Sequence, residues 1–182
     1  MSSEEISIYD DEFTWGHRQH MFNFFMDSSY RFTRIEQNHK EACMVSTFTG
    51  EDMKKLGLLE NLHTQDLLDK LNGRTPVHAF VNFDSMLELH HPHTHKGQEV
   101  LLYQANMEWR PEWYGETCFY QPDCKEIAFM NMYTPGRLIW FDGDIPHSAR
   151  PPSSVSPFCR FTFSIIFNKE SDDDDEPFRI HE

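Results

Sequence analysis

Positive charge is scarce in this chain. Its 182 residues carry 16 Lys and Arg against 30 Asp and Glu, a formal net charge of −14. A general nucleic-acid binder needs a basic face for phosphates, so this balance argues against one, although it leaves room for a local basic pocket. No apolar run approaches the roughly 18 residues of a membrane span, so no membrane association is expected. The N-terminal stretch Met1-Ser2-Ser3-Glu4-Glu5 is acidic and has no signal-peptide character. Cysteine is sparse as well. Cys43, Cys118, Cys124 and Cys159 form no CxxC pair, which reads as reduced thiols in a cytoplasmic protein. No internal repeat is visible.

Apolar bulk, by contrast, is ample. Aromatics make up 14% of residues, with 16 Phe, enough for a core in a chain of this length. Residues 1–75 read as largely helical support. Met53, Leu56, Leu59, Leu62, Leu67, Leu68 and Leu71 fall near a 3–4-residue period, predicting helix from Glu51 to Leu71, closed by Asn72-Gly73. From residue 76 the texture changes. Val77–Phe83, Ser85–His90, Glu99–Ala105, Glu116–Tyr120, Glu126–Tyr133, Arg137–Phe141 and Phe161–Asn168 are short, β-branched or aromatic, and separated by turn signals such as Thr134-Pro135-Gly136 and Asp142-Gly143-Asp144. Many short strands spaced by turns predict a β-sandwich or barrel core over 76–168. The acidic run in 169–182 reads as a solvated tail, and the whole chain as one domain.

The stretch His90-His91-Pro92-His93-Thr94-His95 carries the chemistry. Residues two apart on an extended chain share a side, so His93 and His95 can reach one ion. His147 follows a strand and the tight turn Asp142-Gly143-Asp144-Ile145-Pro146, a way to fix one ring at a strand end. Imidazole suits Fe, Zn, Cu and Ni. Arg160 opens an apolar strand, where a guanidinium needs a partner, and its fork suits a carboxylate.

These residues carry a resemblance. His93-Thr94-His95 is followed by Leu101-Leu102-Tyr103-Gln104-Ala105-Asn106, Trp109, Glu112-Trp113-Tyr114-Gly115-Glu116-Thr117, Tyr133-Thr134-Pro135-Gly136-Arg137, Ile145-Pro146-His147 and Arg160-Phe161-Thr162. In order and spacing, residues 90–168 resemble the iron(II)- and 2-oxoglutarate-dependent oxygenases of the prolyl-hydroxylase-like group, especially the small ones of marine bacteriophages and bacteria. The resemblance implies a mainly β fold with N-terminal helices, a double-stranded β-helix (a distorted, cupin-like jelly roll). It implies Fe(II), 2-oxoglutarate and O2 as cofactor and co-substrates, with ascorbate supporting activity, and the host cytoplasm as location if the chain is phage-encoded. His93 and His147 are the implied ligands and Arg160 the implied anchor of 2-oxoglutarate. Tyr103 or Gln104 would add a hydrogen bond to it, and Arg150 is a weaker anchor candidate. Trp109, Trp113, Tyr114 and Trp140 are candidate cavity walls.

One departure stands out. Spacing back from Asn106 puts His95 where the group usually has a carboxylate, and taking His95 as the first ligand puts Gly97 there, so the usual two-His, one-carboxylate triad is not visible. Three arrangements remain open: His93, His95 and His147 together; His95 and His147 with Gly97 leaving a position for water or halide; or a carboxylate from Glu99 or Asp144. The implied reaction is hydroxylation of a protein side chain or small metabolite. The alternatives are a halogenase-like oxidation and a non-catalytic metal- or ligand-binding β-helix. Ligand histidines must be neutral, so metal affinity is expected to fall as pH drops through about 6.5.

Overall fold

The computed structural model describes residues 6–32, 44–87 and 90–169. Its elements, in chain order, are β1 (Ile6–Tyr9), α1 (Trp15–Met26), β2 (Arg31–Phe32), β3 (Met44–Thr47), α2 (Gly50–Leu56), a 3-10 turn (Leu59–Asn61), α3 (Gln65–Leu71), β4 (Pro76–Asp84) and β5 (Gln98–Gln104). A second 3-10 turn (Pro111–Trp113), β6 (Thr117–Tyr120), β7 (Ile127–Asn131), β8 (Leu138–Asp142), β9 (His147–Ala149) and β10 (Arg160–Asn168) complete them. The strands form a seven-stranded sheet ordered β1-β8-β5-β10-β4-β3-β2 and a three-stranded sheet ordered β7-β6-β9. All pairings are antiparallel.

β10 lies at the centre of the large sheet, between β5 and β4. Side chains of a strand alternate between faces. Phe161, Phe163, Ile165 and Phe167 therefore face the helices, packing with Leu101, Tyr103, Leu138 and Trp140 against Met21, Phe25, Leu56 and Leu67. The other face carries Arg160, Thr162 and Ser164 into a cavity. Farther along, Ile166 joins Val100, Leu102, Phe119, Ile139, Phe141 and Ile145 in a second apolar cluster.

The predicted strands at 77–83, 99–105, 116–120, 126–133, 137–141 and 161–168 are present within a few residues as β4, β5, β6, β7, β8 and β10. Ser85–His90 is not a strand: Met86 and Leu87 form an exposed turn, and Glu88 and Leu89 lie outside the described residues. The N-terminal region also contributes β1, β2 and β3, which add to both edges of the large sheet. The predicted helix at 51–71 is broken into α2, a 3-10 turn and α3. Gly57 ends α2 with φ of 68°, a left-handed cap that a glycine adopts without strain. Glu12, buried under α3, accepts hydrogen bonds from the His63 and Thr64 amides at 2.8 and 3.2 Å and starts the chain afresh there. The acidic run at 171–176 and Cys43 lie outside the described residues. Cys118 and Cys124 are free thiols and form no disulfide with each other. No helix among the described residues is long and apolar enough to cross a membrane.

Phe163 is fully buried, with ring centroids 5.2 Å from Phe25 and 5.3 Å from Phe48. Phe163→Ala is expected to lower unfolding stability by about 3–5 kcal/mol in a urea melt.

Candidate metal centre and its cavity

His93, His95 and His147 each offer one ring nitrogen, and these nitrogens lie within 4.8 Å of one another. No carboxylate or thiolate joins this cluster among the described residues. Main-chain pairing builds it. His93 and His147 exchange backbone hydrogen bonds of 3.0 and 2.9 Å, clamping the histidine loop to β9. The His95 amide donates to the Gly143 carbonyl at 2.7 Å. A Cβ on Gly143 would stand 2.6 Å from the His95 carbonyl oxygen and 2.9 Å from the His95 Cβ, so only glycine lets the turn approach the loop this closely.

The second contacts of the rings orient their lone pairs. His147 Nδ1 lies 2.8 Å from the Ile145 carbonyl, and His93 Nδ1 lies 3.1 Å from the His91 carbonyl. A carbonyl only accepts, so Nδ1 carries the proton in each ring and Nε2 presents a lone pair, the arrangement a metal ligand needs. Burial, reinforced by the neighbouring His93 and then His78, pushes His95 down to about 4. Burial and then His93 push His147 down to about 3, despite the opposing bond to Ile145. For these two rings, protons compete with a metal near pH 3–4 rather than at 6.5, because the enclosed site disfavours an imidazolium.

The carboxylates weighed from the sequence are engaged elsewhere. Glu99 pairs with Arg74 and accepts from the Trp140 indole at 3.3 Å. Asp144 pairs with Lys169 and accepts from the Gly97 amide at 3.2 Å. Gly97 itself sits in the exposed turn before β5, with φ of 69°. Three neutral imidazoles fit Fe(II) in donor type, with one negative charge fewer than the usual triad.

The histidines open into a cavity of about 480 Å³, a size suited to a small-molecule ligand. Val100, Leu102, Phe141 and Phe80 supply apolar wall, and Arg160, Thr117, Thr162, Ser164, Asn82 and Thr47 supply polar groups. Arg160 is buried at 1% exposure. It donates from Nε to the Gly115 carbonyl at 2.9 Å and from Nη1 to Asp84 at 2.7 Å and to Thr162 Oγ1 at 3.1 Å. Nη2 donates to Thr117 Oγ1 at 3.3 Å. Tyr114 holds a positive φ of 60°, costly for a residue with a side chain. This turns its carbonyl to the Trp109 indole and the next one, of Gly115, to Arg160.

Several sequence candidates lie outside the cavity lining. Tyr103 faces the helices, edge-on to Phe13 at 5.5 Å. Gln104 ends β5, and its side-chain oxygen accepts from the Thr134 amide at 2.6 Å. Tyr103 alternates with Val100 and Leu102 and so faces away from the cavity, whereas Gln104 shares their face, opposite Thr162, with its side-chain nitrogen buried and unpaired but outside the cavity lining. Trp109, Trp113 and Tyr114 form an aromatic cluster behind the anchor, with Trp109 against Gly115 and Arg150 stacked on Tyr114 at 4.3 Å. Trp140 is core, stacked near Phe167. Arg150, half exposed and near Glu116, does not line the cavity. Sequence pattern did not single out Asp84, Asn82, Thr117 and Ser164. A lone Asp ending the apolar strand Phe80–Asp84 was the available signal for the first.

No family model and no curated protein sequence matches this chain. Solved structures do. A prolyl hydroxylase from Trichoplax adhaerens, in complex with a hypoxia-inducible-factor peptide, superposes with a TM-score of 0.68 at 15% identity, covering 92% of this chain and 84% of that one. A Pseudomonas putida prolyl-4-hydroxylase gives 0.67 at 11% identity, covering 92% and 94%. The viral collagen prolyl hydroxylase of Paramecium bursaria Chlorella virus-1, in its 2-oxoglutarate complex, gives 0.63 at 10%, covering 92% and 98%. The chain has their fold. The expected mainly β jelly roll with N-terminal helices is thus the observed one.

Two outcomes follow from the site. Gly143→Ala is expected to weaken Ni(II) or Co(II) binding at least tenfold in an absorbance titration, while the circular-dichroism spectrum stays unchanged. In the metal-free protein, unfolding His147 lets it take up a proton between its ordinary 6.5 and about 3. Stability should therefore fall as pH drops through that window, by up to about 1.4 kcal/mol per pH unit from this ring. Comparing urea midpoints of wild type and His147→Gln across pH 6.5–4 checks it: the variant should show the shallower slope.

Proposed function

We propose that this protein is an Fe(II)- and 2-oxoglutarate-dependent dioxygenase that hydroxylates a C–H bond of a protein side chain or small metabolite. The observation that carries the reading is the convergence of three imidazoles and a buried arginine on one cavity of the shared fold.

His93, His95 and His147 would hold the iron, His93 and His147 through Nε2. Bound there, iron with 2-oxoglutarate and O2 would supply the oxidising power, one oxygen atom going to the substrate C–H and the other to succinate, with loss of CO2. Arg160 would hold the far carboxylate of 2-oxoglutarate. Thr162 and Thr117 accept from its guanidinium, and each keeps a hydroxyl proton to donate to that carboxylate. Phe80, Val100, Leu102 and Phe141 line the cavity with apolar surface, Phe141 with its ring 4.7 Å from that of His147. Asn82 and Thr47, on β4 and β3, offer polar contacts to a substrate. Peptide substrates fit this reading, since the Trichoplax enzyme was captured with one.

The donor set without a carboxylate motivates a second reading, a non-hydroxylating oxidation such as halogenation; chloride-dependent product formation would distinguish it. A metal-binding β-helix without catalysis would bind Fe(II) yet turn over no 2-oxoglutarate.

The test is anaerobic Fe(II) titration with 2-oxoglutarate, watching for the visible metal-to-ligand charge-transfer band. Wild type should show the band and His147→Ala should not. Arg160→Ala should require at least 100-fold more 2-oxoglutarate with little change in iron affinity, because it removes the partner and leaves the Asp84 charge buried beside the ligand. Wild type that binds iron but gives no band overturns the reading.

A further inference from the structure

The guanidinium of Arg160 is nearly saturated before any ligand arrives. It has five N–H groups. Four are engaged, by Gly115, Asp84, Thr162 and Thr117, which leaves one on Nη2. A side-on, two-bond grip on an incoming carboxylate, the strong form of arginine recognition, is therefore closed off.

Asp84 is what fills the place of such a ligand. Its carboxylate is fully enclosed, ends β4 directly opposite Arg160 in the strand register, and is absent from the cavity lining. One oxygen takes the Arg160 bond at 2.7 Å, and the other lies 3.1 Å from His90 Nε2. Burial opposes its ionisation, but His90 and the Arg160 charge outweigh that and hold the carboxyl below its ordinary range. Arg160 therefore meets the cavity with its charge partly matched from behind, by a carboxylate it shares with His90.

We propose that Asp84 sets the affinity of this cavity for the far carboxylate of its oxo-acid co-substrate: it competes from within for Arg160, so the carboxylate is held weakly, by one guanidinium N–H and the hydroxyls of Thr117 and Thr162. This rests on the 2-oxoglutarate reading above. A site built this way recognises the carboxylate by the placement of three donors more than by charge, and grips the same end group of succinate as weakly.

Calorimetric titration of the Ni(II)-loaded protein with 2-oxoglutarate tests it, Ni(II) standing in for iron without turnover. Asp84→Asn keeps an acceptor for Arg160 and removes the competing charge, so it should bind 2-oxoglutarate about tenfold or more tightly than wild type, equivalent to about 1.4 kcal/mol. A merely structural residue would lose affinity on substitution, so equal or weaker binding by a folded Asp84→Asn protein overturns the proposal and leaves the functional reading intact. Wild type that binds no 2-oxoglutarate overturns both. Should Asp84→Asn fail to fold by circular dichroism, wild type decides. Replacing the far carboxylate with a methyl group, as in 2-oxopentanoate, should cost less than tenfold in affinity, and a loss of tenfold or more would overturn the proposal.

Discussion

The alternation of β10 is the constraint on which the rest of this molecule depends. A central strand paired on both sides has only two faces to give, and successive side chains must divide between them. Phe161, Phe163, Ile165 and Phe167 go to the helices, and their burial supplies much of the core. Arg160, Thr162 and Ser164 are thereby forced to the opposite face, where a polar group without a partner is costly. The fold meets that cost with Asp84 on the neighbouring strand, the Gly115 carbonyl, Thr117 from the small sheet and an open cavity. Slipping the register by one residue would empty both the core and the anchor.

The metal end obeys a different constraint. Its three histidines come from a loop and a three-residue strand, too short for alternation to place them, although His147 itself is buried against Phe141 and Phe119. Backbone pairing between His93 and His147, the close approach at Gly143, and the carbonyls of His91 and Ile145 do the positioning instead. The same enclosure that fixes His147 keeps it neutral, so preparation for a metal and resistance to protonation have one origin: removal of the imidazole from water. A chain with net charge −14 thus concentrates neutral nitrogen donors and one paired cation in its cavity, while the carboxylates nearest the site are held in ion pairs.

Long, strongly patterned segments are legible from the amino-acid order alone. Phe161–Asn168 and Arg137–Phe141 announce themselves as strands because they are short runs dense in apolar and aromatic residues, and His93, His95, His147 and Arg160 stand out against the residues around them. Short strands are not legible in this way. β1, β2, β3 and β9 span two to four residues each, too few for a period to emerge, and they exist because edges of the two sheets are there to receive them. The helix predicted across Gly57 fails for a local reason, a left-handed glycine cap, that periodicity alone does not register.

Sequence by itself determined the classes of residue available: imidazoles two apart, a distant third, a guanidinium heading an apolar strand, and the alternation that sends it inward. It left open which carboxylate, if any, would reach the metal and which side chains would face a ligand, since both depend on contacts between residues far apart in the chain. Tertiary structure decided those. It engages Glu99 with Arg74 and Asp144 with Lys169, turns Tyr103 to the helices, and brings Asp84 across from Arg160, 76 positions away in the chain. The reason is geometric: a side chain's direction follows from its own strand, but its partner is chosen by which strand lies beside it.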